Sequence, residues 1–139
     1  MPITINFKTG KLDADLPKVD SRIKALIFEA AAYLSRLNLT LTITCLLRDR
    51  TAQEAIYRKA ATIGAKEPAR SPHEDGRAVD ISIRGLSDEV IVSLVDHLNQ
   101  TFPYEGNPKF KTALRHDVGQ GDHIHIQVAP TGNHWGTLA

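Results

Sequence analysis

Apolar residues recur along this chain with two periodicities, one typical of helices and one typical of strands. Across residues 17–37 they form one helical stripe, made of Val19, Ile23, Leu26, Ile27, Ala30, Leu34 and Leu37. A second helix is predicted to open at a capping box of Thr51 and Glu54, and a third to follow Ser87. Pro17 suits the first turn of the first helix.

Between these helices, short apolar runs predict strands. Residues 3–7 and 39–47 form the first two, and residues 79–83 alternate between apolar and polar positions. Residues 111–115 and 123–128 are predicted to close the sheet as a hairpin. The sequence therefore predicts one α+β domain over residues 1–139, an antiparallel sheet with helices packed on one side.

Two segments, SPHEDGRAVDIS and GDHIHIQV, carry the candidate chemistry. Strand alternation puts Asp80 on the polar face of the first segment, and puts His123 and His125 together on one face of the second. His73 comes from the loop before Asp80, and Gly76 lets that loop turn back. The two segments thus offer imidazoles and a carboxylate to one concave site.

This set of side chains suits a catalytic zinc ion. An open zinc site uses three protein ligands and leaves a fourth position for water. Two imidazoles and a carboxylate leave the metal more positive than thiolates would, and therefore a better Lewis acid. Taken alone, a histidine beside a strand is more often a surface or hydrogen-bonded residue than a ligand, and an aspartate in a strand is more often at an edge. A metal-free structural domain would leave the pair of segments unexplained.

The first segment resembles the S-x-H-x-x-G-x-A-x-D segment of the zinc hydrolases of D-amino-acid peptides. These include D-Ala-D-Ala peptidases, phage L-alanyl-D-glutamate endolysins and murein endopeptidases. The two segments together also resemble the zinc site of the Hedgehog signalling domain, which shares that fold. Residues 43–48, with Thr51 and Gln53, are similar to the strand and arginine that precede this segment in the peptidases. The resemblance covers residues 39–128.

The resemblance implies roles for individual residues. The residues that match the three zinc ligands are His73, Asp80 and His125. Arg48 matches the arginine that faces the substrate carbonyl or carboxylate, and its planar fork suits such a partner. Ser71 matches the serine that supports the site, and Gln53 is a further substrate-binding candidate. A solvated charge remains the alternative for Arg48, and a helix-surface role the alternative for Gln53.

The general base is the least defined part of the resemblance. Many relatives carry a glutamate three residues before the last zinc-binding histidine, and a tryptophan directly before that histidine. This chain has Asp122 at the first position and no tryptophan at the second, and the phage endolysins also use aspartate. A regular strand would point Asp122 and His125 to opposite faces, unless Gly119 and Gly121 bend the chain.

Other residues compete with the aspartate for the role of base. His123 shares the face of His125, and an imidazole can exchange protons near neutral pH. His116 and Asp117 are weaker candidates from the preceding loop. The catalytic candidates are therefore Asp122, His123 and Arg48.

Size, charge and cysteine content further narrow the set of possible functions. A chain of 139 residues is long enough for its own core, and a net charge of +1 gives no support for nucleic acid binding. The single cysteine, Cys45, cannot form an internal disulfide and is predicted to be a small core residue. The N-terminus lacks the pattern of a secretory signal, and no segment is long and apolar enough to span a membrane.

The resemblance therefore implies a Zn²⁺-dependent peptidase, a carboxypeptidase or endopeptidase that hydrolyses amide bonds in peptidoglycan stem peptides. Its partner would be the peptidoglycan peptide. It would be cytoplasmic at synthesis and act on the cell wall after release, or as part of a phage particle. The alternative is a catalytically weak or inactive zinc-stabilised binding module, which the missing glutamate and tryptophan favour.

Overall fold

A five-stranded sheet organises the part of the chain that the structure, a computed structural model, describes: residues 3–64, 71–117 and 121–130. The strands are β1 (Ile5–Phe7), β2 (Leu41–Cys45), β3 (Ala78–Ser82), β4 (Ala113–His116) and β5 (His123–Gln127). The α-helices are α1 (Gly10–Asp15), α2 (Ser21–Ser35), α3 (Arg50–Thr62) and α4 (Asp88–Thr101). None of the described helices is long and apolar enough to cross a membrane.

The sheet has the strand order β1-β2-β3-β5-β4. The predicted α+β class and the β4–β5 hairpin are confirmed, but the sheet is mixed rather than wholly antiparallel. At one edge β1 pairs with β2 in parallel, with Ile5 opposite Leu41. The physical reason is the connection: α1 and α2 carry the chain back to the starting end before β2 begins, which a parallel pair requires.

Aspartates set two helix starts that the sequence patterns misplaced. The helix predicted from Pro17 begins after Asp20, and the one predicted from Thr51 begins after Asp49. Each aspartate side chain accepts a hydrogen bond from a backbone N–H of the first turn, which a bare helix end leaves without a partner. The cap predicted at Ser87 is confirmed.

The apolar face of the sheet is covered by α2 and α4. The fully buried side chains that meet there include Ile23, Leu26, Leu34, Ile81, Leu94, Leu98, Ile124 and Ile126. The sequence predicted that the helices pack on one side of the sheet, and this holds for α2 and α4. Leu12 of α1, with Ala52 and Ile56 of α3, instead borders a cleft on the polar face. The polar face is therefore open between two helices, and the candidate site lies there.

Gly76 fixes the turn that leads from His73 into β3. Its φ angle is +70°, in the left-handed region, and its carbonyl accepts a hydrogen bond from the Asp20 N–H at 2.9 Å. A Cβ atom at this position would lie 3.2 Å from the Cα atom of Val19 and 3.4 Å from a methyl carbon of Leu47. The turn therefore has neither the backbone angle nor the space for a side chain.

We expect Gly76→Ala to lower the free energy of unfolding by about 1–3 kcal/mol, because the left-handed strain and the close contacts act together. Gly85→Ala is the matched control, since Gly85 has a φ of +81° but nothing within 4 Å of the added Cβ. Gly85→Ala should lose only the part of the unfolding free energy that comes from the left-handed backbone strain. Denaturant unfolding of both variants measures the difference, and equal losses would contradict the role of the Val19 contact.

Candidate metal centre

The pairing of three strands gathers the candidate residues on one face of the sheet. Asp80 of β3 lies directly opposite His125 of β5. His123 lies opposite Ser82 on one side and His116 on the other. Directly opposed residues of antiparallel strands project to the same face. The alternation read from the sequence therefore brings the carboxylate and the two histidines of HIH together.

His73 reaches this face from a short 3₁₀ turn, Pro72–Asp75. Ser71 caps the turn: its hydroxyl accepts from the His73 N–H at 3.2 Å, while the Glu74 carboxylate accepts from the Ser71 N–H at 2.9 Å. Arg50 of α3 donates to Glu74 at 3.1 Å. Ser71 thus supports the histidine through the backbone. Its hydroxyl acts as a cap here, and a contact of Ser71 with substrate stays a prediction.

The Asp80 carboxylate is the centre of the cluster. Its Oδ1 atom lies 3.1 Å from His73 Nε2 and 2.9 Å from His125 Nδ1. Its Oδ2 atom lies 3.5 Å from His123 Nε2 and 3.7 Å from Arg48 Nη2. All five side chains are less than a tenth exposed. One buried carboxylate is therefore surrounded by three imidazoles and a guanidinium.

Backbone carbonyls fix the orientation of two of these imidazoles. His73 Nδ1 donates to the Leu46 carbonyl at 2.8 Å, and His123 Nδ1 donates to the Gly121 carbonyl at 2.8 Å. A carbonyl oxygen can only accept, so each Nδ1 carries a proton. In the neutral ring, the Nε2 lone pair then faces Asp80. The histidine that binds a metal is commonly oriented in this way.

The third imidazole is oriented by an amide. The Gln127 side chain donates from Nε2 to the Lys111 carbonyl at 2.9 Å, which turns its oxygen towards His125. His125 Nε2 lies 3.0 Å from that oxygen and donates to it. The Nδ1 atom of His125 is then the one that faces Asp80. Because Gln127 follows His125 by two residues in a strand, alternation alone could have indicated this partner.

This arrangement fits a divalent cation. Lone pairs of three neutral imidazoles facing one carboxylate repel it, unless protons or a cation lie between them. Among the described residues, His123 Nε2 is also a buried atom without a hydrogen-bond partner. Imidazole nitrogen and carboxylate oxygen are the donors that zinc prefers when thiolates are few. The residues present could therefore hold a metal ion at Asp80.

Within the described residues, ligand atoms converge in two adjoining groups, each within 4.8 Å. One group consists of Cys45, His73 and Asp80, and the other of His116, His123 and His125. The three predicted zinc ligands are divided between these groups: His73 and Asp80 belong to the first, and His125 belongs to the second. The Oδ1 atom of Asp80 joins them through its contacts with His73 and His125. The site thus offers more donors than one zinc ion needs.

Electrostatics of the metal-free site favour a proton on His73. Burial lowers the pKa of His73, but the charge and hydrogen bond of Asp80 outweigh it and raise the pKa to about 10. Burial likewise raises the pKa of Asp80, yet the charges and hydrogen bonds of His73 and His125 bring it well below its usual value. His116 is the opposite case: burial and the neighbouring imidazoles lower its pKa to about 4.

Zinc uptake by the metal-free protein should therefore release about one proton per ion, because the ligand form of His73 is neutral. His73 holds that proton below its pKa of about 10. The apparent zinc affinity should therefore fall about tenfold for each unit by which the pH is lowered. Competition with a chelator between about pH 6 and 8 measures the slope. An affinity that is independent of pH would contradict a protonated His73.

Cys45 is a donor that the sequence patterns missed, because it was predicted as a small core residue. Simple alternation along β2 puts Cys45 on the same side as the buried Ile43. The β2–β3 register shifts between these two residues, so that Cys45 pairs with Asp80. Its sulfur lies 3.7 Å from His73 Nδ1. Burial raises the pKa of the thiol, but His73 and Arg48 lower it below its ordinary value.

Arg48 is held in place by its neighbours, so the solvated-charge interpretation is wrong. Its Nη1 atom donates to the Gln53 amide oxygen at 2.6 Å, and its Nη2 atom lies 3.5 Å from the Cys45 sulfur. Gln53 is fully buried, which also excludes a helix-surface role. The structure thus uses Gln53 to orient the guanidinium that borders the cleft.

Asp122 lies beside the cleft but is engaged elsewhere. Gly121 has a φ of +91°, and this bend puts Asp122 outside the regular strand, so that it lines the same cleft as His123. Gly119 lies outside the described residues. The Asp122 carboxylate accepts from Arg115 Nε at 2.9 Å. Its role as general base stays a prediction.

The cleft in front of the cluster has a volume of about 520 Å³. Besides Asp80, Arg48 and His123, its lining includes Lys8, Lys11, Thr44 and Asp49. These residues come from the segment after β1, from α1, from β2 and from the loop before α3. The cleft therefore offers both positive and polar groups next to the candidate ligands.

The chain matches no protein-family model, no curated protein and no solved structure. The resemblance to zinc peptidases consequently rests on the sequence motifs quoted above. The structure adds the geometry of the cluster, and this observation does not depend on similarity to another protein.

Proposed function

We propose that this protein is a zinc-dependent peptidase that hydrolyses amide bonds in peptidoglycan stem peptides, with His73, Asp80 and His125 as the zinc ligands. One observation supports a metal ion at this cluster. Three buried imidazoles, each anchored through its far nitrogen, turn their other nitrogens towards a single buried carboxylate. Without a metal, this shared orientation leaves the His123 Nε2 atom buried and without a hydrogen-bond partner among the described residues.

The residues around the ligands supply the rest of a hydrolytic site. A bound zinc ion would polarise the substrate carbonyl and acidify a water molecule. Arg48 borders the cleft with a guanidinium that Gln53 holds, and a guanidinium suits the two oxygens of a carboxylate. The Nε2 atom of His123 on this face has no hydrogen-bond partner among the described residues, and in a neutral imidazole such an atom can accept a proton. Asp122 is the second candidate for that role.

The substrate class follows from the motif resemblance. Stem peptides carry free carboxylates and D-amino acids. Lys8 and Lys11 line the cleft beside Arg48, together with Asp49 and Asp122, so the lining includes cations that could pair with a substrate carboxylate. A fold can serve many functions, so these contacts support the substrate class without defining the bond that is cut.

A zinc-stabilised binding module is the second candidate. Two observations favour it. The Asp122 carboxylate is paired with Arg115, and His123 lies 3.5 Å from Asp80, near enough to close the zinc site as a fourth ligand. A closed four-ligand site is typical of structural zinc, whereas a catalytic ion keeps one position open.

Incubation with purified peptidoglycan separates the two candidates. The zinc-loaded protein should release new amino or carboxyl termini, identified by mass spectrometry of the soluble fragments. A chelator should abolish the release, and added zinc should restore it. Peptidoglycan that is bound but left uncut by the zinc-loaded protein would instead support the binding module.

A further inference from the structure

A second group of imidazoles lies next to the same carboxylate, on the side of the site that faces β4. The ligand nitrogens of His116, His123 and His125 lie within 4.8 Å of one another. The His116 ring packs edge-on against His123, with centroids 4.6 Å apart, and lies 5.0 Å from the His125 ring. His116 lies directly opposite His123 in the β4–β5 register. Strand pairing therefore holds these imidazoles side by side.

His123 lies outside the set of His73, Asp80 and His125 that would hold the first ion. Those three residues meet at Asp80 Oδ1, whereas His123 faces Oδ2 at 3.5 Å. The Gly121 carbonyl takes the proton of His123 Nδ1. The buried Nε2 atom has no hydrogen-bond partner among the described residues. A buried lone pair aimed at a carboxylate oxygen costs free energy, unless a donor or cation lies between them.

We propose that His116 and His123, beside His125, form a second divalent-cation position, which Asp80 bridges to the first ion through its other oxygen. Carboxylates that join two ions about 3.5–4 Å apart are common in two-metal sites. The charge of the first ion and the Arg48 guanidinium, 3.7 Å from Oδ2, both oppose a second cation. The second zinc ion therefore binds more weakly than the first.

This inference goes beyond the proposed function, because it concerns how many ions bind rather than which reaction follows. The intact folded chain is dialysed against rising concentrations of Zn²⁺ alone, and bound metal is counted by native mass spectrometry. The wild type should bind one ion at low free zinc and two at saturation. His116→Ala and His116→Gln should each bind one ion throughout.

Two controls separate loss of the second site from other causes. His116→Gln keeps a polar side chain, and circular dichroism should show an unchanged fold in both His116 variants. His97→Ala removes a histidine that pairs with Glu29 away from the cluster, and it should still bind two ions.

A wild type that binds one ion at saturation would overturn the second position and leave the first intact. Two ions in both His116 variants would also overturn it, as would loss of the second ion from His97→Ala. A wild type that binds no zinc would overturn this inference and the proposed function together. Two bound ions without peptidoglycan hydrolysis would overturn the proposed function alone.

Discussion

His73→Ala should lose its tightly bound zinc. His73 is 1% exposed, belongs to the predicted triad, and converges with Cys45 and Asp80. Loss of a hydrogen-bond partner behind a ligand weakens metal binding about 10–100-fold, and loss of the ligand itself should exceed that. Gln127→Ala, which removes only the partner of His125, should show the smaller effect. Competition with a chelator measures both affinities.

The comparison of His125→Ala with Cys45→Ala identifies the third ligand. If His125 completes the site, its removal should lower zinc affinity as much as His73→Ala does, while Cys45→Ala keeps near wild-type affinity. The reverse order would replace His125 by the thiolate in the ligand set. Full zinc occupancy in both variants would contradict the assignment of the cluster as a three-ligand site.

The convergence of Asp80, His123 and His125 on one face could be predicted because it depends on strand alternation. Asp80 and His125 occupy opposed positions of paired strands, and alternation put each of them on the polar face. The α+β class followed from the same periodicities. These features are local, so a single sequence carries them.

Other features escaped prediction because they depend on tertiary pairing. Cys45 reaches the cluster through a register shift between β2 and β3, which alternation within β2 does not reveal. The parallel placement of β1 depends on where the helices return the chain. The pairing of Asp122 with Arg115 depends on the hairpin and its bend, so the sequence left the general base undecided.

Asp122→Asn and His123→Ala should differ sharply in turnover, because only one residue acts as the general base. Removal of a general base lowers the rate about 10²–10⁴-fold. The Nε2 atom of His123 lies in the cluster without a hydrogen-bond partner among the described residues, whereas the Asp122 carboxylate is held by Arg115 at 2.9 Å. If Asp122 is the base, Asp122→Asn should show that loss while it keeps its zinc.

The measurement is kcat on a stem peptide, with zinc content determined on the same samples. Asp96→Asn, an exposed aspartate on α4, is the control for loss of one negative charge and should keep the wild-type rate. A near wild-type rate in Asp122→Asn, together with a zinc-loaded but inactive His123→Ala, would assign the proton transfer to His123. Arg115 would then hold Asp122 in a structural ion pair. Wild-type rates in both variants would remove both residues from the mechanism.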